Sequence, residues 1–239
     1  MSSKVSSAIR ALTTVDDDWR PRYGLVLILI SSTFICLSAF PSTNWALATA
    51  VVLQAATVMA TLRASRARPL VMLLALIGTA IGLVAALGLL IAAATGSAAP
   101  EARVGTFLIT ALLVVLSPPV LVIGVWRDIR RRRAVTLQTV FGVISIYLLI
   151  GIFFAAVYGG VANLGDEAFF TDGTDGDSQI LMYFSFVTLT TLGYGDFAPA
   201  LALGRTLATV EALIGQVYLV TVIAIVVSNL GKGVLPGDD

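Results

Sequence analysis

Histidine is absent from this chain, cysteine occurs once, and charged side chains are scarce. Without histidine, a Ser-His or Cys-His catalytic arrangement is unavailable, and a transition-metal site lacks its commonest ligand. Because Cys36 is the single cysteine, no disulfide can form within the chain. Glu211 is the one acidic group inside a long apolar run. We therefore predict no enzyme activity, no organic cofactor and no nucleic-acid partner.

Apolar residues dominate the composition instead. Hydrophobic residues make up 58% of the chain and charged residues 12%, a balance typical of an integral membrane protein. Several apolar runs reach the length that crosses a bilayer as a helix. The predicted spans are Tyr23–Phe40, Trp45–Leu62, Leu70–Thr95, Val104–Trp126, Leu137–Val157 and Gly204–Leu230. The predicted fold class is all-α, with six transmembrane helices.

One further apolar segment, Ser178–Thr190, is too short to cross. An Asp177 or Ser178 N-cap favours a helix there. At about 1.5 Å per residue it covers roughly half of the hydrocarbon thickness. Such a re-entrant helix is tolerated only where protein surrounds it.

The basic residues predict the orientation. With the N-terminus in the cytoplasm, the loops Arg63–Arg68 and Arg127–Arg133 lie inside, and only Arg103 and Arg205 lie outside. Carboxylates gather in the loop before the re-entrant helix, where they either raise the local cation concentration or form an ordinary solvated loop. They are Asp166, Glu167, Asp172, Asp175 and Asp177.

The stretch Thr188–Asp196 follows the re-entrant helix, and two glycines flank a tyrosine within it. Gly193 and Gly195 tolerate positive φ, so the backbone can alternate in hand and turn its carbonyls the same way. Several such strands around one axis make stacked rings of oxygen, with the Thr191 hydroxyl as an additional ring. Carbonyl rings of this kind replace the water shell of a potassium ion.

Thr191–Gly195 followed by Asp196 resembles the selectivity filter of the potassium channel superfamily, with Leu192 where valine or isoleucine is commoner. The resemblance implies K⁺ sites at Thr191, Leu192, Gly193 and Tyr194, with Asp196 at the filter mouth. It identifies Ser178–Thr190 as the pore helix and implies a homotetramer, because one chain carries one filter strand.

Two positions behind the filter depart from the family pattern. Many relatives carry a tryptophan pair in the pore helix, where we place Phe184 and Ser185, and some carry a glutamate where this chain has Val187. We therefore expect Asp196 to lack its usual partner. In the sixth span, Glu211 must be paired, hydrogen-bonded or neutral. We predict that it supports the filter through pore-helix hydroxyls such as Ser185 or Thr188.

The sixth span also offers a face that repeats every four residues. Gly215, Leu219, Ile223 and Val227 lie on it. Gly215 falls where the family often has a hinge glycine. We predict that this face lines the inner pore and gates it, although ordinary helix packing explains the same pattern.

The fourth span should be a voltage sensor if the architecture is of the voltage-gated type. Val104–Trp126 contains no Lys or Arg in its interior, so we predict largely voltage-independent conduction. The Arg127–Arg133 run is interpreted as an interfacial linker, with anionic lipid binding as the alternative.

The predicted layout has three parts. Residues 1–22 form a cytoplasmic N-terminal segment, residues 23–133 a four-helix, sensor-like bundle, and residues 134–239 the pore domain. Both termini are predicted to be cytoplasmic, in a multi-pass protein of the plasma membrane. The predicted function is passive, potassium-selective conduction, and the alternative is a subunit of a potassium-uptake transporter.

Overall fold

The computed structural model describes residues 23–40, 44–65, 73, 76–81, 83–84, 87–88, 91, 118–127, 136–164, 167–224 and 226. Across these ranges the chain is helical apart from its loops, and the only extended pairing in them is an isolated bridge between Phe170 and Pro199. An all-α fold class is therefore confirmed for this part of the chain. The predicted segment 1–22, most of the third span and Val227 lie outside the described residues.

The helices follow the apolar runs closely. They are α1 (Tyr23–Ala39), α2 (Asn44–Ser65), α3 (Leu137–Leu164), α4 (Ser178–Leu189) and α5 (Ala202–Val217), which continues as a π-helix (Tyr218–Ile223). Residues 118–127 are also helical. Pro41 follows α1 closely, and the residue before a proline disfavours the helical region, which limits the length of α1.

One helix of the described residues is long and apolar enough to cross a membrane. It covers Leu137–Asn163, with a mean hydropathy of 2.6 in its most apolar window. Tyr23–Ala39, Ala48–Ala64 and Ser178–Leu189 are shorter apolar helices. The count of six spans stays a prediction.

A single core joins α1, the 118–127 helix, α3 and α4. Val26, Leu121, Leu149 and Met182 are all buried in it. Gly142 permits close packing there, because a Cβ at this position would lie 2.7 Å from Val125 Cγ2. Residues of the predicted bundle and of the predicted pore domain are thus packed into one hydrophobic unit.

A second, aromatic core holds the loop between α3 and α4. Tyr158, Phe169, Phe170 and Phe184 are buried in it, and the Phe169 and Phe170 rings meet edge to face at 4.8 Å. The backbone of this loop forms hydrogen bonds with the segment that follows Thr191–Gly195, which we call the glycine motif. Thr171 N donates to Ala198 O at 2.9 Å, and Ala200 N donates to Phe169 O at 2.8 Å. The loop between α3 and α4, called the outer loop after its predicted orientation, is therefore held to that segment.

Candidate functional site

The short helix α4 delivers the chain to the glycine motif. Its N-cap is Asp177, whose Oδ1 accepts hydrogen bonds from Gln179 N at 3.0 Å and from Ile180 N at 2.9 Å. This settles the choice between Asp177 and Ser178. The helix ends at Leu189 with Thr190 as its C-cap. Its carbonyl end, which carries the negative end of the helix dipole, therefore adjoins the motif.

The motif backbone alternates in hand from residue to residue. Positive φ occurs at Thr191 (57°), Gly193 (56°) and Gly195 (81°), and not at Leu192 or Tyr194. For a β-branched residue such as threonine, positive φ is a rare conformation that costs free energy. Conformations of this kind concentrate at functional sites, so Thr191 makes this segment a candidate for one.

Hydrogen bonds fix which way the motif peptides face. Val187 O accepts from Leu192 N at 2.9 Å and from Gly193 N at 3.3 Å, while Thr188 O accepts from Thr191 N at 2.9 Å. These N–H groups point back to α4, and trans peptides place each carbonyl opposite its N–H. The carbonyl oxygens in the same peptides, those of Thr190, Thr191 and Leu192, therefore face away from these α4 acceptors.

Asp196 has a partner on α4. Tyr183 donates its hydroxyl hydrogen to Asp196 Oδ2 at 2.7 Å, and the Tyr183 and Tyr194 rings stack with centroids 6.4 Å apart. We expected Asp196 to lack the tryptophan or carboxyl partner usual in the family, and the structure gives it a different one: Tyr183, one residue before the pair compared with the family tryptophans.

Glu211 lies behind α4 with no solvent exposure. Its Oε1 accepts from the Ser185 hydroxyl at 2.5 Å, and its Oε2 accepts from the Tyr158 hydroxyl at 2.5 Å. Ser185 Oγ also lies 2.7 Å from Gly151 O, an acceptor on α3. The carboxyl group therefore ties α5 to both α3 and α4.

Only part of this cluster was predicted. Ser185 was named as a partner of Glu211, and the structure brings the two together. Tyr158 was missed, because it precedes Glu211 by 53 residues and lies in an apolar run that has no polar signal besides its own hydroxyl. Thr188, the other suggested partner, contributes its carbonyl oxygen to the bond from Thr191 N.

Residues 142–232 match an ion channel family model. The matched range contains α3 from Gly142 onward, α4, the glycine motif and α5. A second similarity is to "Probable potassium channel protein 2" of Methanocaldococcus jannaschii, at 50% identity over 46 residues. That alignment covers 18% of this chain and 13% of the relative, so the chain spans a small part of that protein's length. No solved structure matches the chain.

Together the two matches support a place for this chain in the potassium channel superfamily. An ion channel domain also implies a membrane protein, in agreement with the apolar helix α3.

Within the ion channel domain, the predicted lining face divides. Gly215 is buried, and a Cβ there would overlap the Leu189 carbonyl oxygen and lie 2.9 Å from Leu189 Cδ1. This position is a contact between helices, whereas a lining role was predicted. Leu219, one turn later, is 42% exposed. The Ile223 side chain and Val227 lie outside the described residues.

The acidic side chains of the outer loop have structural partners. Asp175 Oδ1 accepts from Phe169 N at 3.0 Å, and Asp172 Oδ1 accepts from the Thr174 hydroxyl at 2.8 Å. With Asp177 as the cap of α4, three of the five predicted carboxylates bind backbone or neighbouring groups. Their geometry is that of an ordered loop.

Proposed function

We propose that this chain is one subunit of a potassium-selective channel that conducts K⁺ passively across the cell membrane. The observation that carries the proposal is the alternating φ of Thr191–Gly195, together with N–H groups that bond back to Val187 O. The ion channel family match over 142–232 and the short similarity to a probable potassium channel protein support it.

In the proposed mechanism, carbonyl oxygens take the place of water around the ion. The oxygens of Thr191, Leu192, Gly193 and Tyr194 face the axis, and the Thr191 hydroxyl adds a ring at the inner end. A hydrated K⁺ exchanges its water shell for these ligands at little net cost in free energy. The carbonyl end of α4 points its dipole at the ion from the inner side. Asp196 lies at the outer mouth.

The proposed assembly is a homotetramer around this axis. Each chain contributes one strand, and carbonyl rings need several. In the single chain, Leu192 is 56% exposed and Tyr194 is 67% exposed. Non-helical backbone at membrane depth has to be covered by protein, so neighbouring copies are the natural cover for these side chains.

The remaining parts of the proposal concern support and gating. Glu211 holds α4 in place through Ser185 and Tyr158, and Leu219, with Ile223 and Val227, lines the inner cavity. The six-span topology has cytoplasmic termini and an uncharged fourth span, which makes conduction largely voltage-independent. The Arg127–Arg133 linker contacts lipid headgroups and prefers anionic ones.

Purified protein in liposomes tests the proposal. We expect potassium-selective flux without a partner protein or an ion gradient other than that of K⁺, and block by barium. The variant Gly195→Ala is expected to abolish the flux, because alanine is strained at φ 81°.

A matched variant separates loss of the filter from general strain. Gly173 has φ 85° and, like Gly195, has open space around its Cα, but it lies in the outer loop. Gly173→Ala is expected to conduct as the wild type does. Equal permeation of Na⁺ and K⁺ by the wild type would contradict the proposal. Flux that needs an ATPase or a coupled gradient would favour the potassium-uptake transporter instead.

A further inference from the structure

The first helix, α1, contacts α4, the helix that precedes the glycine motif. The Phe34 ring of α1 lies 4.5 Å from the Phe186 ring of α4, centroid to centroid, at an interplanar angle of 54°. Lower on the same helix, Gly24 N donates to Gln138 Oε1 at 3.0 Å, which fastens α1 to α3. Both contacts lie within one chain.

Phe186 is held between two helices. A Cβ on Gly151 of α3 would lie 2.6 Å from Phe186 Cζ, so the ring rests directly on the α3 backbone. Phe34 covers it from the α1 side. A cavity of about 610 Å³ borders both rings, and Leu192 and Asp196 are also in its wall. Removal of Phe34 would therefore leave the ring without its contact on the α1 side.

The backbone carbonyls of Phe186 and Val187 accept the hydrogen bonds that hold Thr190 and the start of the glycine motif. Phe186 O accepts from Thr190 N at 3.1 Å and from the Thr190 hydroxyl at 2.6 Å. The next carbonyl, Val187 O, accepts from Leu192 N and Gly193 N. A shift of this turn of α4 is therefore transmitted to the backbone of the motif.

We propose that Phe34 is a positioning residue for the selectivity filter, acting through Phe186 of the same subunit. The inference rests on the proposed function, because it assigns the first helix a role at that filter. With Phe34 in place, the Phe186 ring is fixed on Gly151 and the Val187 carbonyl keeps its distance to the motif. Without it, the ring loses that support and the filter spends more time non-conducting.

Single-channel recording of Phe34→Ala in bilayers tests the role. We expect open probability to fall about tenfold, since an aromatic pair contributes enough beyond its buried area to shift a two-state equilibrium by that factor. Phe34→Leu, which keeps most of the volume but not the ring, is expected to recover about half of the lost open probability and to stay below the wild type. The matched control is Ile35→Ala, on the same helix but 58% exposed, and it should behave as the wild type does.

Assembly has to be measured alongside, so that the readout concerns the filter. Each variant is compared with the wild type by size-exclusion chromatography with light scattering. If Phe34→Ala assembles normally and opens as the wild type does, the proposal is overturned. If Phe34→Ala does not assemble, Phe34→Leu decides: an open probability equal to that of Ile35→Ala overturns it, and a lower one supports it. A wild type without K⁺ flux would instead refute the proposed function itself.

A double-mutant cycle tests the route through Phe186. Phe186→Ala and Phe34→Ala are recorded singly and together. If the two residues act as one contact, the double variant is expected to match the more affected single variant. Effects on open probability that multiply independently would show that Phe34 acts by another path and would overturn the inference.

A cross-link tests whether the contact lies within one subunit. In a Cys36→Ser background, Gly24→Cys and Gln138→Cys are combined in one chain and treated with a short bifunctional thiol reagent. We expect a product with the mass of one chain. Dimers and higher ladders on a denaturing gel, or cross-linking between co-assembled chains that carry one substitution each, would place α1 on a neighbour and overturn the inference.

Discussion

Glu211 is the side chain on which three helices meet. It is fully buried, and the hydroxyls of Ser185 and Tyr158 occupy its two oxygens. A buried polar group that loses its partner costs about 1–3 kcal/mol, so truncation of Glu211 leaves the Tyr158 hydroxyl at that disadvantage, while Ser185 still has Gly151 O as an acceptor. The cost falls on the packing of α4 between α3 and α5, behind the glycine motif.

For Glu211 we predict opposite results from two substitutions. Glu211→Val removes both hydrogen bonds and is expected to reduce K⁺ flux in liposomes at least tenfold. Glu211→Gln keeps an acceptor and a donor at nearly the same volume, and it should retain most of the flux. A Glu211→Val protein with wild-type current would show that the cluster does not support the filter.

Gly215 gives a second prediction at this scale. A Cβ there would overlap the carbonyl oxygen of Leu189, the last residue of α4. Gly215→Ala is therefore expected to lower stability by about 1–3 kcal/mol, the usual cost of overpacking. Thermal unfolding in detergent measures this. Gly88→Ala is the control, because a Cβ at Gly88 meets no atom within 4 Å.

The sequence predicted single residues unevenly. The alternating hand of Thr191–Gly195 was foreseen from the two glycines, and the buried carboxylate pointed to Ser185. Tyr183 and Tyr158 were missed, because an aromatic residue in an apolar helix shows no sign of what its hydroxyl touches. Their partners, Asp196 and Glu211, are 13 and 53 residues away.

At the scale of elements, α4 depends on its first turn. The four leading N–H groups of a helix have no partner within it, and Asp177 Oδ1 accepts two of them. Such a cap contributes about 0.5–2 kcal/mol to a helix of ordinary length. For a 12-residue helix this is a large share, since isolated helices of that length are marginal.

We expect Asp177→Ala to lower the unfolding temperature of the protein in detergent and to reduce the fraction of active channels. Glu167→Ala is the matched control, because it removes the same charge from an exposed position of the same loop and leaves α4 capped. Its effect should be small. Equal losses of current in both variants would indicate that the loop acts by attracting cations rather than by capping.

Helix existence was predictable, and connections were not. The apolar runs placed α1, α3 and α4, although α3 continues past the predicted end at Val157 to Leu164. The acidic loop between α3 and α4 was expected either to raise the local cation concentration or to be an ordinary solvated loop. Neither expectation included the bonds by which Asp172 and Asp175 order it, or the two phenylalanines that pack in its core. Hydrophobic periodicity reports which face is apolar, and it says nothing about loop hydrogen bonds.

At the scale of the whole molecule, the charge pattern limits what membrane voltage can do. One elementary charge that crosses the full field is worth about 2.3 kcal/mol per 100 mV. The stretch Val104–Trp126 contains no such charge, and Arg127 follows it at the end predicted to be cytoplasmic. We expect the conductance of the reconstituted protein to change little with voltage. A steep conductance–voltage curve that is abolished by Arg127→Gln with Arg130→Gln would contradict this.

Assembly supplies a prediction at the same scale. Native mass spectrometry of the detergent-solubilised protein is expected to give four chains per particle, because a carbonyl ring requires copies of Thr191–Gly195 around one axis. A monomeric particle that still conducts K⁺ would refute the arrangement.

Two backbone hydrogen bonds join the outer loop to the segment that follows the motif. Thr171 N donates to Ala198 O, and Ala200 N donates to Phe169 O. In the proposed channel this rim faces the external solution. An antibody or toxin that binds residues 167–177 is therefore expected to displace residues 198–200 and, through them, the outer end of the motif. We expect such a molecule to reduce the current from outside without blocking the pore itself.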